Sequence, residues 1–411
     1  MYSRLLSFAA SVGLATIVGL VAIPVLVATV GPGVWGSIAV VQSLATVFGV
    51  VVGFGWGAAG PSLVASAPTD ARPAILRDAT IARGVLYVLC FAAMTAVLLA
   101  LTRGDVLLSV AGPATYLLAY VASPWYFVGE ARPDRLFLLN TLPIAVGTAS
   151  GLALVAVTRD IGTFLALQAS GYLAAIVLEL AVVFRGGVAA HRTTDTLRRL
   201  GSTLAGQRYA VAASLVSTLY VSLPLVAVQA LAVPLVPVYA LADRLFKFAS
   251  VALSPFQQLL QGWVPEAGHA HIPTRSRRAA LAGLALGAVG GLFVAILSPV
   301  AAPLLSGGDL SIPFPLSIPL GAAFLGIASS AMIGYACLIV LGQVRHVAAS
   351  TALAAVIGAP LILFAAAQQS LEGVAWAVAL SEAVVAAYQA LILRRTLARR
   401  RGHEGDEVAP D

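Results

Sequence analysis

Runs of about twenty residues without a single charged side chain recur along the whole of this chain. One of them, from Tyr209 to Ala242, has no charge over more than thirty positions. A bilayer core is crossed by roughly 20 apolar residues in helical form. Only helices and closed barrels satisfy every backbone group in hydrocarbon, and runs of this length are helical. Composition agrees: 60% of the 411 residues are hydrophobic and 10% are charged, against ~25% charged in a soluble domain. The class is an all-α integral membrane protein.

Breaking the chain at its charges and Pro/Gly clusters predicts twelve transmembrane helices, over 8–30, 35–60, 84–102, 107–128, 136–157, 162–184, 209–230, 238–262, 279–299, 316–341, 347–367 and 373–393. The first begins like a signal peptide, but its apolar stretch exceeds the ~7–15 residues of a signal core, so it reads as an uncleaved span. Twelve spans sort the connections into two sets. One set holds 20 of the 24 basic residues, including Arg4, Arg72, Arg77, Arg83, Arg132, Arg135, Arg345 and the arginines between Arg394 and Arg401. The other holds Arg103 and Arg159. Basic residues of short loops stay cytoplasmic, which puts both termini inside a cytoplasmic (cell) membrane. The net charge of +7 is thereby a topology signal with some attraction for anionic lipid, and it does not point to nucleic acid.

No connection is large enough for a soluble catalytic domain, and no GxxxxGK[ST] phosphate loop occurs, so nothing here hydrolyses ATP. Cys90 and Cys337 lie inside apolar runs and read as small buried hydrophobes. His191, His269, His271, His346 and His403 fall in expected cytoplasmic segments. His269 and His271 lack the cysteine or carboxylate neighbours of a metal site. The expectation is no enzyme, no cofactor and no metal.

The halves repeat. Pro24 pairs with Pro224, Pro61 with Pro265, Gly129 with Gly342 and Gly162 with Gly373. Six spans per half means parallel repeats, an arrangement in which transporters bind substrate near the midplane between halves and alternate access by rocking. The expected organisation is an N-terminal six-helix lobe over 1–200, with a cytoplasmic linker at about 185–208, a C-terminal lobe over 201–393, a charged tail over 394–411 and a central cavity.

Against this background the stretch LADRLFKF, Leu241 to Phe248, stands out. It places Asp243, Arg244 and Lys247, the only lysine, among apolar residues. On one continuous helix, Asp243, Lys247, Ser250, Ser254, Gln257, Gln258 and Gln261 share a stripe rising roughly 27 Å. Such a stripe cannot face lipid, where each unpaired polar group costs several kcal/mol. The repeat maps it onto Gln42, Thr46, Gly49, Gly53, Gly57 and Gly60, a face polar at one end and open along the rest. A path polar on one side and smooth on the other suits a large amphiphile, and Arg244 and Lys247 would attract an anionic headgroup. The bland alternative starts the eighth span later and leaves the charges as interfacial anchors. Asp243, Glu179 and Glu382 are candidate ion-coupling carboxylates. For the two glutamates, a partly wetted helix end is the commoner case.

The segments IPVLVATVGPGVWG, VYALADRLFKFASVALSPFQQLLQGWVPEAG and LGQVRHVAAS resemble bacterial polysaccharide (O-antigen) flippases, the oligosaccharide branch of the multidrug/oligosaccharidyl-lipid/polysaccharide exporter (MOP) superfamily. The resemblance covers essentially the whole chain and is most specific from Tyr239 to Pro265. It implies two six-helix lobes around a cationic cavity, and transfer of an undecaprenyl-diphosphate-linked oligosaccharide between leaflets. The implied partners are that substrate, membrane lipids, a glycan polymerase and glycosyltransferases. Tyr239, Asp243, Arg244, Pro265 and the Gly31-Pro32 turn fall on family-like positions. An arginine that many relatives carry before the Gly-Pro turn is replaced by Ala28, Thr29 and Val30, which shifts the expected anion contacts to Arg244 and Lys247. The rivals are an ion-coupled multidrug or toxin exporter of the same superfamily and, lower, a membrane polysaccharide polymerase or ligase.

Overall fold

A computed structural model describes residues 2–102, 104–185, 193–267 and 271–406. Arg103, His191, Arg192 and His269 lie outside these ranges, as do 186–192 of the expected linker and 407–411 of the expected tail. Among the described residues there is no strand. The helices are α1 (Tyr2–Gly53), α2 (Trp56–Ser66), α3 (Arg72–Leu101), α4 (Val106–Tyr116), α5 (Leu118–Val121), α6 (Pro124–Gly129), α7 (Pro133–Leu136), α8 (Leu142–Thr158), α9 (Ile161–Phe184) and α10 (Thr193–Leu231). They continue with α11 (Val236–Val251), α12 (Ser254–Trp263), α13 (Ile272–Ser306), α14 (Phe314–Ala331), α15 (Val344–Ala367) and α16 (Leu371–Asp406). The chain divides into two compact units, Met1–Ser222 and Leu223–Asp411. The division falls inside α10.

Ten helical stretches among the described residues are long and apolar enough to cross a bilayer, so the chain is a multi-pass membrane protein. The first of the ten, Thr16–Ser66, contains two of the expected spans. They separate at Gly31, whose φ of 86° and ψ of 160° suit a residue without a Cβ. The interrupted, triply charged stretch of α11 and α12 is not among the ten, and it accounts for the remaining expected span.

Several boundaries move. The third span starts at Arg72, because Pro73 sits in the first turn, where its missing N–H costs nothing. The expected linker is helical from Thr193. The tail continues α16 to Asp406, since arginine, alanine and leucine are good helix formers. Pro61 does not close the second span but lies within α2.

The two units break their helices at related places. The second span of the first unit is interrupted at Phe54 and Gly55, whose φ angles are both positive. Its counterpart is interrupted between α11 and α12. The fourth span is cut into α4, α5 and α6, and its counterpart carries a π-helical segment at Met332–Leu338. The sixth spans start alike. Asp160 accepts hydrogen bonds from the Gly162 and Thr163 N–H groups (3.0 and 3.1 Å), and Ser370 Oγ accepts one from Gly373 N–H (3.0 Å).

The cut in the fourth span is held by buried charge. Arg83, placed in a loop by the sequence, sits inside α3 and is 1% exposed. Its guanidinium donates to the carbonyls of Ala122 (2.8 Å) and Tyr120 (3.4 Å) and to Ser123 Oγ (2.5 Å). It also lies 5.4 Å from the Trp125 ring centroid. Glu179 of α9, also 1% exposed, accepts from the Ser123 N–H (2.8 Å) and from Asn140 Nδ2 (2.7 Å). Ser123 therefore stands between the opposite charges and bonds to both. Donors and acceptors freed by the break, which in hydrocarbon would cost several kcal/mol each, are matched by these side chains.

Two predictions follow from this packing. Replacing Glu179 with Ala leaves Arg83 buried without its counter-charge and should cost about 3–5 kcal/mol, whereas Arg83→Met with Glu179→Gln should cost less than the two single changes added. Thermal melts of the detergent-solubilised cycle measure this, and additive losses would refute the coupling. At Gly60, a Cβ would collide with the Trp125 ring, while Gly57 has open space. Gly60→Val should therefore cost about 1–3 kcal/mol by overpacking, with Gly57→Ala neutral or mildly stabilising; the same melts decide.

Candidate functional site

α11 begins at Val236 with Pro237 in its first turn, so the Asp243, Arg244 and Lys247 charges lie within the helix. Asp243 and Lys247, one turn apart, form an ion pair of 2.7 Å, with 17% and 41% of their side chains exposed. The Arg244 guanidinium lies 5.9 Å from the Phe248 ring centroid. Arg244 stands beside this pair, so the three side chains carry two positive charges and one negative.

The continuous helix expected from Tyr239 to Gln261 is broken at Ala252 and Leu253. Pro255 is the cause: it has no N–H for the Val251 carbonyl. The hydroxyl of Ser254 donates to that carbonyl instead (2.9 Å), and the chain tightens, with Ala252 N–H on Ala249 O (3.2 Å) and Leu253 N–H on Ser250 O (3.1 Å). Ser250 Oγ donates to Phe246 O (2.9 Å). Two hydroxyls of the expected stripe thus give their protons to the backbone and present only lone pairs outward. Gln257 is half-buried, and Gln258 and Gln261 are exposed. The amides of α12 and the charges of α11 therefore belong to two short helices joined by a bend.

On the other side of the same bend lies an apolar cavity of about 390 Å³ within the second unit, lined by Leu245, Leu253, Phe256, Phe293, Leu297 and Phe324 among others. Phe324 is set by an edge-on contact with Phe246, ring centroids 6.3 Å apart. The segment ends where Arg275 stacks on Trp263, 4.7 Å from its centroid, and donates to the Trp263 carbonyl. The pair of helices is thus amphipathic, with charge and amides on one side and a hydrocarbon-lined pocket on the other.

The counterpart face in the first unit differs from the open track expected. Thr46 Oγ1 donates to the Gln42 carbonyl (2.9 Å), and Gln42 is half-buried. Gly53 and Gly57 are open, but Gly49 lies under the Tyr120 ring and Gly60 under the Trp125 ring, where any Cβ would collide. Half of the glycine face therefore receives aromatic rings from the broken fourth span. Sequence spacing alone does not distinguish a glycine that leaves room for a guest from one that admits a neighbouring ring.

Of the candidate coupling carboxylates, Glu179 is committed to the Arg83–Ser123–Asn140 network and is not a wetted helix end. Glu382 is half-buried and lies well inside α16, because that helix runs to Asp406; its Cβ packs against Gly326 of α14. Arg83, Ser123 and Asn140 were not singled out by the sequence. The available signal was that Arg83 and Glu179 are opposite charges, each bordering or interrupting a long uncharged run. His346 Nδ1 hydrogen-bonds Tyr388 Oη at 2.8 Å, a contact between α15 and α16.

No family model matches the chain, and no curated protein matches it. Solved structures do. An inward-facing multidrug resistance MATE family transporter of the MOP superfamily is 14% identical with a TM-score of 0.66, covering 94% of this chain and 95% of that one. The lipid II flippase MurJ, in an inward closed conformation, is 10% identical with a TM-score of 0.69, covering 95% and 89%. An outward-facing MATE transporter of the same superfamily is 13% identical with a TM-score of 0.50, covering 97% and 95%. The chain therefore shares its all-helical fold with these MATE family transporters and with MurJ.

Proposed function

We propose that this protein is a flippase that carries an undecaprenyl-diphosphate-linked oligosaccharide from the inner to the outer leaflet of the cytoplasmic membrane by alternating access, for cell-surface polysaccharide synthesis, with both termini cytoplasmic. The observation that carries the reading is the two-sided α11–α12 pair. Its charged face has two cations against one carboxylate, and its other face lines a hydrocarbon cavity. A substrate with an anionic headgroup and an apolar tail matches both. Arg244 and Lys247 would hold the diphosphate through charge-assisted hydrogen bonds. Ser250, Ser254, Gln257, Gln258 and Gln261 would offer neutral contacts to sugars. A fold that includes a lipid flippase supports the same direction.

The second reading is an ion-coupled multidrug or toxin exporter, favoured by the shared fold with multidrug resistance transporters. The charge balance at α11 argues against it, since a cationic drug is repelled by a net positive cluster. In either reading Asp243 and Glu382 are the carboxylates left for ion coupling, because Glu179 is already used to hold the fourth span.

Deleting the gene should make undecaprenyl-diphosphate-linked oligosaccharides accumulate, read by mass spectrometry, with loss of the surface glycan. No accumulation together with new toxin sensitivity would favour the exporter. Complementation with Arg244→Ala/Lys247→Ala should restore a membrane-inserted protein and no surface polysaccharide. Normal polysaccharide in that strain would refute the assigned site.

A further inference from the structure

The second unit carries another groove, remote in sequence from α11 and α12 and not used by the function proposed above. It has a volume of about 890 Å³ and runs between α13 and α16 over α14. Its lining is mostly apolar, and its α16 side is cut low by small residues, among them Ala383, Ala386, Ala387 and Ala390. One end is formed by Arg277 and Arg394. Their helices hold them at the same depth: Cys337 Sγ reaches the Ser276 carbonyl at 3.3 Å, and Cys337 and Ile392 pack into one core cluster. Both arginines are exposed, and neither forms an ion pair among the described residues. At the other end stands Trp376, half its surface open.

We infer that this groove is a binding site for an anionic diacyl phospholipid, its phosphate held by Arg277 and Arg394 and an acyl chain laid over the alanines of α16. The dimensions fit a lipid-facing site. From Trp376 to Arg394 the helix rises about 27 Å, close to the ~30 Å of a hydrocarbon core. From Ala383 to Arg394 it rises about 16 Å, one leaflet of that core. A tryptophan at one boundary and paired cations at the other are the side chains that lie well at membrane interfaces. Basic pockets between transmembrane helices bind anionic lipid headgroups, so headgroup charge is the property to test.

The test is native mass spectrometry of the full-length protein, delipidated in detergent and titrated with phosphatidylglycerol or phosphatidylcholine. Phosphatidylglycerol should be retained in preference. Arg277→Ala/Arg394→Ala should weaken that retention roughly thirtyfold, the loss expected when two cations near an anionic lipid are removed. Ala387→Trp, with both arginines intact, should block the groove and weaken retention too, and gel filtration of each variant checks that it remains folded. Equal retention of the two lipids, or retention unchanged in both variants, would overturn the inference. So would displacement of phosphatidylglycerol by a much lower concentration of a polyprenyl diphosphate, which would make the groove a substrate site. Because the readout is binding to purified protein, its failure leaves the flippase reading standing, and the converse holds.

Discussion

Every backbone N–H and C=O inside hydrocarbon needs a partner from the chain itself, and this requirement shapes the molecule most where its helices are interrupted. At the Ala122–Ser123 cut, Arg83 supplies donors and Glu179 supplies acceptors, with Ser123 bonded to both. At the Ala252–Leu253 bend, the hydroxyl of Ser254 takes the place of the N–H that Pro255 lacks. The two solutions differ because the needs differ. A proline removes one donor, which a neighbouring hydroxyl replaces, whereas a helix cut into short pieces leaves several groups open and draws in charged side chains from two other helices.

The interruptions also place chemistry. A straight eighth span would align charge and amides on one unbroken stripe. The bend instead sets Asp243, Arg244 and Lys247 on one short helix and the glutamines on another, and opens an apolar cavity on the opposite side. Bending is what gives this segment both a polar and a hydrocarbon-lined surface within a single unit. In the first unit the corresponding interruption at Phe54 and Gly55 accompanies a different outcome, in which rings from the cut fourth span fill Gly49 and Gly60. Equivalent breaks thus serve a charged stretch in one unit and an uncharged stretch in the other without the two becoming alike in chemistry.

Charge in this protein has two roles separated by depth and partner. Arg83 and Glu179 are almost fully buried and satisfied by named atoms, so they act as structure. Arg277 and Arg394 are exposed at the end of an apolar groove and form no ion pair among the described residues, so they act toward the surroundings. Arg244 lies between these cases, half-buried beside an internal ion pair. The same residue type, abundant here at the near exclusion of lysine, takes each role according to what the neighbouring helices bring to it.

The sequence by itself determined that the chain is helical and membrane-embedded, that it holds about twelve spans, and that LADRLFKF is an unusual cluster of charge between long apolar runs. These follow from length, hydropathy and charge spacing, which act locally along each helix. It could not determine that Arg83 leaves its loop for a buried network, that Pro255 bends the eighth span, or that two of four aligned glycines sit beneath aromatic rings. Those outcomes depend on which donors, acceptors and rings arrive from helices distant in the chain. Only the tertiary structure decides them, because a buried group is stabilised by the partner that reaches it and not by the residues beside it in sequence.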